Sequence, residues 1–377
     1  MEQLTEGLRV PIARPLLDSG EQAPTFGAPA LNGNPRYGFD SAAGRPILML
    51  FMGSGAWPPN AAALALIARH RALFDDVHAS FFGVTIDPQD AAESRIAQRI
   101  PGIRWFLDYD TAVSTAYGAA RPIDGRPGYC AHWLLLDSMM RVVTRAPVAE
   151  GEKIIAMLAA MIERGHEQTS APVLAVPRVF EPEICRQLIE YYQRKGGTVS
   201  GFMQQDGTKT VGRFDHNFKR RLDCPIKDEA LRDALRDRLY RRLVPQIRKV
   251  FQFQATRIER WVVACYDSKS GGFFRPHRDD TTAATAHRAF ACSINLNAED
   301  YEGGDLRFPE FGPRTYRAAT GGAVIFSCSL LHEATPVTNG RRYAFLPFFY
   351  DEVRARLRER NRVHLEESTE NILVDQP

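Results

Sequence analysis

The sequence predicts a two-domain protein: an α/β domain with a parallel sheet over residues 1–165, then a β-sandwich or barrel with flanking helices over residues 172–377. Three observations predict it. A chain of 377 residues is too long for one ordinary core. Its first half alternates strand-like apolar runs with helical ones, the pattern of α/β folds. From about residue 257 it changes to short strand-like runs broken by Gly, Pro and Asp, as in all-β folds.

Each element follows from its own residues. RPILMLF (45–51), HASFFGVTID (78–87) and HWLLLD (132–137) read as strands, and AAALALIARHRALF (61–74) and DAAESRIAQRI (90–100) as helices. GHEQTSAPVLAVPRV (165–179), polar and then proline-spaced, reads as a linker. Two helical segments follow, 181–195 and 227–250. In the second, Leu231, Leu235, Leu239, Leu243 and Ile247 make one apolar stripe, and Pro245 is expected to kink or end it. The strands of the second domain are RIERWVVACY, RAFACSINLN, DLRFPE, GAVIFSC and RRYAFLPFFY, and the charged tail after Asp351 reads as helix to about Glu367.

Composition excludes several classes. No apolar run is long enough to span a membrane, and MEQLTEGLRVPIARP lacks a secretory apolar core, so a cytoplasmic location without membrane attachment is expected. A net charge of +3 does not argue for nucleic acid, and the arginines of 232–249 alternate with aspartates around the apolar stripe, as on a solvated helix face. The six cysteines (130, 185, 224, 265, 292, 328) are scattered without a CxxC pair, which suits reduced thiols.

The chemistry centres on FRPHRDD (274–280). In a strand, residues two apart face the same way, so His277 and Asp279 can reach one ion. His332, 55 residues on in SLLHEATPV, is the candidate third ligand. Two imidazoles and a carboxylate leave open positions on one side of an octahedral metal, the arrangement of non-haem Fe(II) oxygenases. A second HxE, His364-Leu365-Glu366, lies in the helical tail, where helix geometry turns the two side chains apart. Ten residues after His332, Arg342 offers a planar fork for a carboxylate, and Tyr266 offers a hydroxyl from a neighbouring strand.

Residues 172–351 resemble the 2-oxoglutarate- and Fe(II)-dependent oxygenases of the prolyl-4-hydroxylase-like branch. VACYDSKSGGFFRPHRDD, SINLNAEDYEGGDLRFPEF and GGAVIFSCSLLHEATPVTNGRRYAF carry the resemblance, in the family's order. It implies a double-stranded β-helix (jelly roll) with His277, Asp279 and His332 as catalytic iron ligands. It also implies Arg342, rather than its neighbour Arg341, on the distal carboxylate of 2-oxoglutarate, and Tyr266 lining that pocket. The implied cofactors are Fe(II), 2-oxoglutarate as co-substrate and O2, with ascorbate as a candidate reductant. The implied reaction hydroxylates a C–H bond of a peptide, protein (for instance prolyl) or small-molecule substrate, with release of succinate and CO2. Asn295 departs from the family, standing where several relatives have a tyrosine, and Pro347 interrupts the last strand and suggests a bulge or an edge. The segment 201–221 reads as a lid, with Lys219, Arg220 and Arg221 either on a solvated loop, the favoured reading, or placed to meet an acidic substrate.

Over residues 20–163, GEQAPTFGAPALNG, RPILMLFMGSGAWPPN, FFGVTID and HWLLLDSMMRVV resemble the peroxiredoxin branch of the thioredoxin fold. In that family a reactive cysteine opens the helix after the first long strand, where the helix N-terminus lowers its pKa. Here GSGAWPPN has no thiol, and Cys130 lies far along the chain. The resemblance therefore implies a redox-inactive domain for docking or self-association, in which His78 and His132 are structural. The competing function is a non-catalytic metal-binding sensor or scaffold whose thioredoxin-like domain docks a partner.

Overall fold

The structure is a computed structural model and describes residues 15–123, 126–165 and 169–366. The N-terminal stretch 1–14, read above for a signal, lies outside the described residues, as do 166–168 of the linker and the tail beyond 366. The chain divides at Thr169/Ser170 into two compact units, with Pro309–Gly312 grouped with the first.

In the first unit, β1 (Ile47–Gly53) leads into α1 (Pro58–Arg69), followed by β2 (Ser80–Thr85), β3 (Ile103–Leu107), β4 (His132–Leu136), β5 (Val142–Pro147) and α2 (Gly151–Arg164). The sheet order is β3–β2–β1–β4–β5. The first three strands are parallel, but β4 runs antiparallel to β1 and to β5. The all-parallel expectation is corrected here, because the short turn after β4 cannot make the crossover of a dozen or more residues that a parallel pair needs. Every residue of β1 is buried. Leu48, Leu50 and Met52 face the helices with Leu66, Ile67, Ile154 and Leu158, while Phe51 on the other face meets Tyr117 and His132. A parallel βαβ half completed by an antiparallel pair and a closing helix is the thioredoxin-like arrangement.

His132 has a structural place. It lies flat on Phe51, ring centroids 5.0 Å apart, with Nδ1 2.9 Å from the Cys130 carbonyl. Burial, with Arg145 and Arg121 nearby, lowers its pKa from 6.5 to about 4, so the folded state holds it neutral. The stabilisation is full above pH 6.5 and is lost as pH falls towards 4, amounting to about 3 kcal/mol over that interval. Melting the chain across pH 7 to 4 is expected to show this loss, and His132→Phe to remove that part of the slope. His78 is exposed, with Nδ1 2.6 Å from Asp75 Oδ2.

In the second unit, β6 (Leu174–Val176) precedes α3 (Pro182–Lys195), the hairpin β7 (Phe202–Asp206) and β8 (Lys209–Arg213), then β9 (Lys219–Arg220) and β10 (Leu222–Pro225). After α4 (Glu229–Arg238) and α5 (Val244–Phe251) come β11 (Val262–Asp267), β12 (Phe273–His277), β13 (Phe290–Asn295), β14 (Leu306–Arg307) and β15 (Thr315–Tyr316). Strands β16 (Ala323–Ser327), β17 (His332–Ala334), β18 (Val337–Phe345) and β19 (Phe348–Tyr350) lead to α6 (Glu352–Asn361). The larger sheet runs β6–β16–β13–β18–β11–β10 and the smaller one β9–β12–β17–β14–β15. Every pairing named is antiparallel. Successive strands alternate between the two sheets from β11 to β14 and again from β16 to β18, which makes the unit a double-stranded β-helix.

The outer face of the larger sheet is covered by α3, α4 and α5, where Leu188, Leu235 and Ile247 pack with Val263, Ile294 and Phe345. A stripe repeating every four residues would drift round an α-helix of 3.6 residues per turn. A π turn at Leu239–Leu243, between α4 and α5, absorbs the excess and keeps all five stripe residues buried. Pro245 sits in the first turn of α5, where its missing N–H is tolerated.

Three expectations are corrected in this unit. Residues 174–176 are edge strand β6 paired with β16 rather than linker, since Leu174 and Val176 pack at the sheet end. The α-helix of the tail, α6, gives way after Asn361 to a 3-10 turn over Arg362–His364, where His364 meets the Thr208 carbonyl, while Glu367 lies outside the described residues. The third concerns the lid segment. Arg220 is exposed, but Lys219 and Arg221 are buried, because β9 pairs with β12 and strand alternation turns residues two apart inward together. Pro347 separates β18 from β19, and the chain resumes pairing with β13 beyond it.

Candidate metal centre and its cavity

Strand pairing builds the centre. On the smaller sheet β12 lies against β17 in a register that places His277 directly opposite His332. Asp279 lies just past the end of β12, so the turn rather than strand alternation positions it. Its N–H donates to the Cys328 carbonyl at 2.9 Å, and Arg288 Nη1 reaches its own carbonyl at 3.4 Å. Asp279 Oδ2 is 3.3 Å from His332 Nε2 and Oδ1 is 3.7 Å from His277 Nε2. The three ligand atoms all fall within 4.8 Å of one another. Ligands about 2.1 Å from one ion at right angles lie ~3 Å apart, so this set needs only a small contraction to hold a metal.

The other nitrogen of each imidazole is occupied. His277 Nδ1 is 2.7 Å from the Arg275 carbonyl and His332 Nδ1 is 2.9 Å from the Leu330 carbonyl. A ring that donates from Nδ1 presents Nε2 as its bare lone pair, the form a metal takes. Phe274 stacks on His277 at 3.5 Å and Phe326 packs on His332 at 4.6 Å, which fixes both rings. Burial, with His332 alongside, pulls the His277 pKa well below that of free histidine. Burial opposes ionisation of Asp279, yet His332 and His277 hold its carboxyl well below the usual range. Both are therefore in the proton-free state that coordination requires.

The triad opens into a cavity that reaches the surface. Arg342 and Tyr266, opposite each other on β18 and β11, line it. Arg342 is 2% exposed. Its Nη2 donates to Ser293 Oγ at 2.7 Å, while Nε and Nη1 meet no hydrogen-bond partner. The buried Tyr301 hydroxyl is also unpartnered. A buried guanidinium with two free donor atoms is costly unless a ligand completes it, and a carboxylate is its natural complement. Arg341 points the other way and pairs at the surface with Asp267. Asn295 is not part of the cavity wall; it donates to the Ala318 carbonyl at 2.6 Å.

Glycine makes room for Arg342. Gly304 has φ +66°, and a Cβ there would fall 2.7 Å from Val337 Cγ2 and 3.3 Å from Arg342 Cδ. Gly304→Ala is expected to displace Arg342 and weaken 2-oxoglutarate binding about tenfold with metal binding intact, read by calorimetry.

Sequence reasoning missed Ser293, Tyr301 and Arg260, all at or beside the cavity, and placed Arg221 on a solvated loop rather than in its wall. Tyr301 lies within the quoted YEGGDLRFP hairpin, but its approach to Arg342 is made by three-dimensional pairing. At the start of α1 in the first unit, where a catalytic thiol would stand, Trp57 precedes Pro58, and Asp90 holds the loop by accepting from the Gly55 N–H at 2.8 Å. All six cysteines are unpaired. Among the described residues no helix is long and apolar enough to cross a membrane.

Comparison with known proteins agrees with the geometry. Residues 261–350 match the family model described as the 2OG-Fe(II) oxygenase superfamily. A PKHD-type hydroxylase of Synechococcus sp. (strain JA-2-3B'a(2-13)) is 28% identical over 99 residues, which cover 25% of this chain and 43% of that protein. The chain thus spans less than half the length of that relative. A prolyl-4-hydroxylase structure from Pseudomonas putida is similar over 48% of this chain and 94% of its own, at 18% identity and TM-score 0.35. The peroxidoxin BcpB of Mycobacterium tuberculosis is similar over 38% of this chain and 98% of its own, at 19% identity and TM-score 0.32. The family implies Fe(II), 2-oxoglutarate and O2, and both the donor set and the unpartnered Arg342 fit the first two. The C-terminal part of this chain is a 2OG-Fe(II) oxygenase domain.

Proposed function

We propose that this protein is an Fe(II)- and 2-oxoglutarate-dependent dioxygenase that hydroxylates an unactivated C–H of a peptidyl, for instance prolyl, or small-molecule substrate. The observation that carries the reading is the single cavity lined by both the His277–Asp279–His332 triad and the half-satisfied Arg342. In this reading residues 172–377 form the oxygenase domain and residues 1–165 a thioredoxin-like domain without redox chemistry.

Iron held by the triad would couple oxidation of 2-oxoglutarate to succinate and CO2 with delivery of the second oxygen atom of O2 to the substrate carbon. The chain's own residues bind, orient and exclude water. Nε2 of both histidines and the Asp279 carboxylate would hold the ion. Arg342 receives the distal carboxylate of 2-oxoglutarate through Nε and Nη1, with Ser293 holding the guanidinium and Tyr301 within the same buried corner. Tyr266 walls the co-substrate, its ring 5.2 Å from the Arg342 guanidinium carbon. Phe274, Leu306 and Phe326 keep the surroundings of the ion apolar. Ascorbate would act only to keep the metal ferrous between turnovers.

Anaerobic addition of Fe(II) and 2-oxoglutarate is expected to give the weak visible charge-transfer band of the chelate, and admission of O2 with a substrate pool to give succinate. A band without any succinate would favour the sensor reading; no band at all would remove the oxygenase.

A further inference from the structure

The cavity has a second cationic wall that neither the metal nor 2-oxoglutarate uses. Arg221 and Arg260 line it together with the triad. They share one counter-ion. Arg221 grips Asp223 with Nε on Oδ1 at 2.7 Å and Nη2 on Oδ2 at 2.8 Å, and spends further donors on the Tyr266 hydroxyl at 3.2 Å and Ser200 Oγ at 3.0 Å. Arg260 reaches the same Asp223 Oδ2 through Nη2 at 2.6 Å, and this is the one hydrogen-bond acceptor it meets among the described residues. Its remaining N–H groups are uncommitted.

Charge counting makes this wall net positive. Arg221 and Arg260 carry two charges against one on Asp223; the triad's Asp279, the other carboxylate acting on Arg260, is the one that would be taken by the metal, and Lys219 lies close behind. Burial holds the Lys219 ammonium well below its ordinary pKa, and its Nζ donates to the Gly201 carbonyl, so Lys219 is not counted in this wall's charge. At the other end of the cavity, bound 2-oxoglutarate would satisfy Arg342. Tyr266 separates the two ends, with the guanidinium carbons of Arg342 and Arg221 at 5.2 and 5.7 Å from its ring.

Arg260 is also held in an unusual backbone state. Its φ is +74°, a left-handed conformation that an arginine adopts at a penalty of about 1 kcal/mol. That bend, directly before β11, aims the side chain over the Phe348 ring, 5.8 Å from its centroid, and into the cavity. This half-buried guanidinium, its side chain 21% exposed, shares its one carboxylate with Arg221 and keeps its other N–H groups for the cavity.

Resting on the oxygenase reading above, we infer that the substrate itself carries a carboxylate, received by Arg260 with Arg221 behind it, so that an anionic group anchors the substrate while a nearby C–H faces the metal. The site selects acids over uncharged prolyl side chains. A guanidinium distinguishes a carboxylate from its amide because only the charged oxygen pair matches its fork.

The test uses the full chain loaded with Mn(II) and 2-oxoglutarate, with propionate, propionamide and N-acetyl-glutamate N-methylamide as probes in titration calorimetry. Propionate is expected to bind and propionamide not. Arg260→Gln is expected to weaken propionate by about ten- to a hundred-fold with 2-oxoglutarate affinity unchanged, and Arg260→Lys to fall between. Asp223 keeps its two-point grip on Arg221 in both variants, and the unchanged 2-oxoglutarate affinity reports an intact fold. Binding of propionate alone assigns a free acid as substrate, and binding of the blocked glutamate as well assigns an acidic peptide residue. Propionate that fails to bind, or binds equally in Arg260→Gln, overturns the inference while 2-oxoglutarate binding stands. Failure of 2-oxoglutarate itself to bind removes the oxygenase reading instead.

Discussion

His277→Ala is expected to abolish the Fe(II)·2-oxoglutarate charge-transfer band and to lower Fe(II) affinity by at least about a hundred-fold. Even a residue that only orients a ligand alters affinity ten- to a hundred-fold, and removing the ligand takes away a metal bond outright. His332→Ala should match it, since the two rings stand opposite one another in register on β12 and β17. Both variants should fold, because Asp279 keeps the nearby Arg288 as a counter-charge. Equilibrium dialysis against Fe(II), with a thermal melt as the folding control, separates loss of the site from loss of the protein. Retention of iron at wild-type affinity in either variant would mean that the triad is not the metal site.

Arg342→Ala is expected to weaken 2-oxoglutarate by between about thirty-fold and several thousand-fold with Fe(II) affinity unchanged. Truncating one side of a buried, hydrogen-bonded charge pair typically loses about 2–5 kcal/mol, most of it from stranding the partner charge. Arg342→Lys should recover part of this, because an ammonium restores the charge but not the two parallel hydrogen bonds. In steady state the loss should fall on KM for 2-oxoglutarate, with kcat recovered at saturation. Arg341→Ala is the internal control, since its guanidinium is half-exposed and engages Asp267 outside the cavity. Equal effects from the two variants would mean that Arg342 does not hold the co-substrate.

The two arginines show what sequence pattern reads well and where it stops. The family resemblance favours Arg342 over Arg341 through the RYA sequence and the ten-residue offset from His332, and adjacent residues on a strand face opposite ways. The structure has Arg342 on the cavity wall and Arg341 at the surface. The same alternation places Lys219 and Arg221 inward together, but reading it there requires knowing that 219–220 is a strand, and two residues carry no period. Nothing local distinguishes such a stretch from a solvated loop. Its strand character comes from pairing with β12, where Lys219 meets Phe274 and Arg220 meets Phe273, far along the chain.

The sequence by itself determined the two kinds of fold, because hydrophobic period and turn residues are local quantities carried by each segment. It pointed to the two histidines and the carboxylate as a group through the motifs that resemble a known family, since an HxD pair alone is weak evidence. It also determined that no thiol stands at the head of α1. Only the tertiary structure decided what those groups face. The opposition of His277 and His332, the unsatisfied donors of Arg342, and the sharing of Asp223 by Arg221 and Arg260 are all products of strand register between segments far apart in the chain. Register is fixed by the burial of whole sheet faces, a property of the assembled core that no single stretch of residues contains.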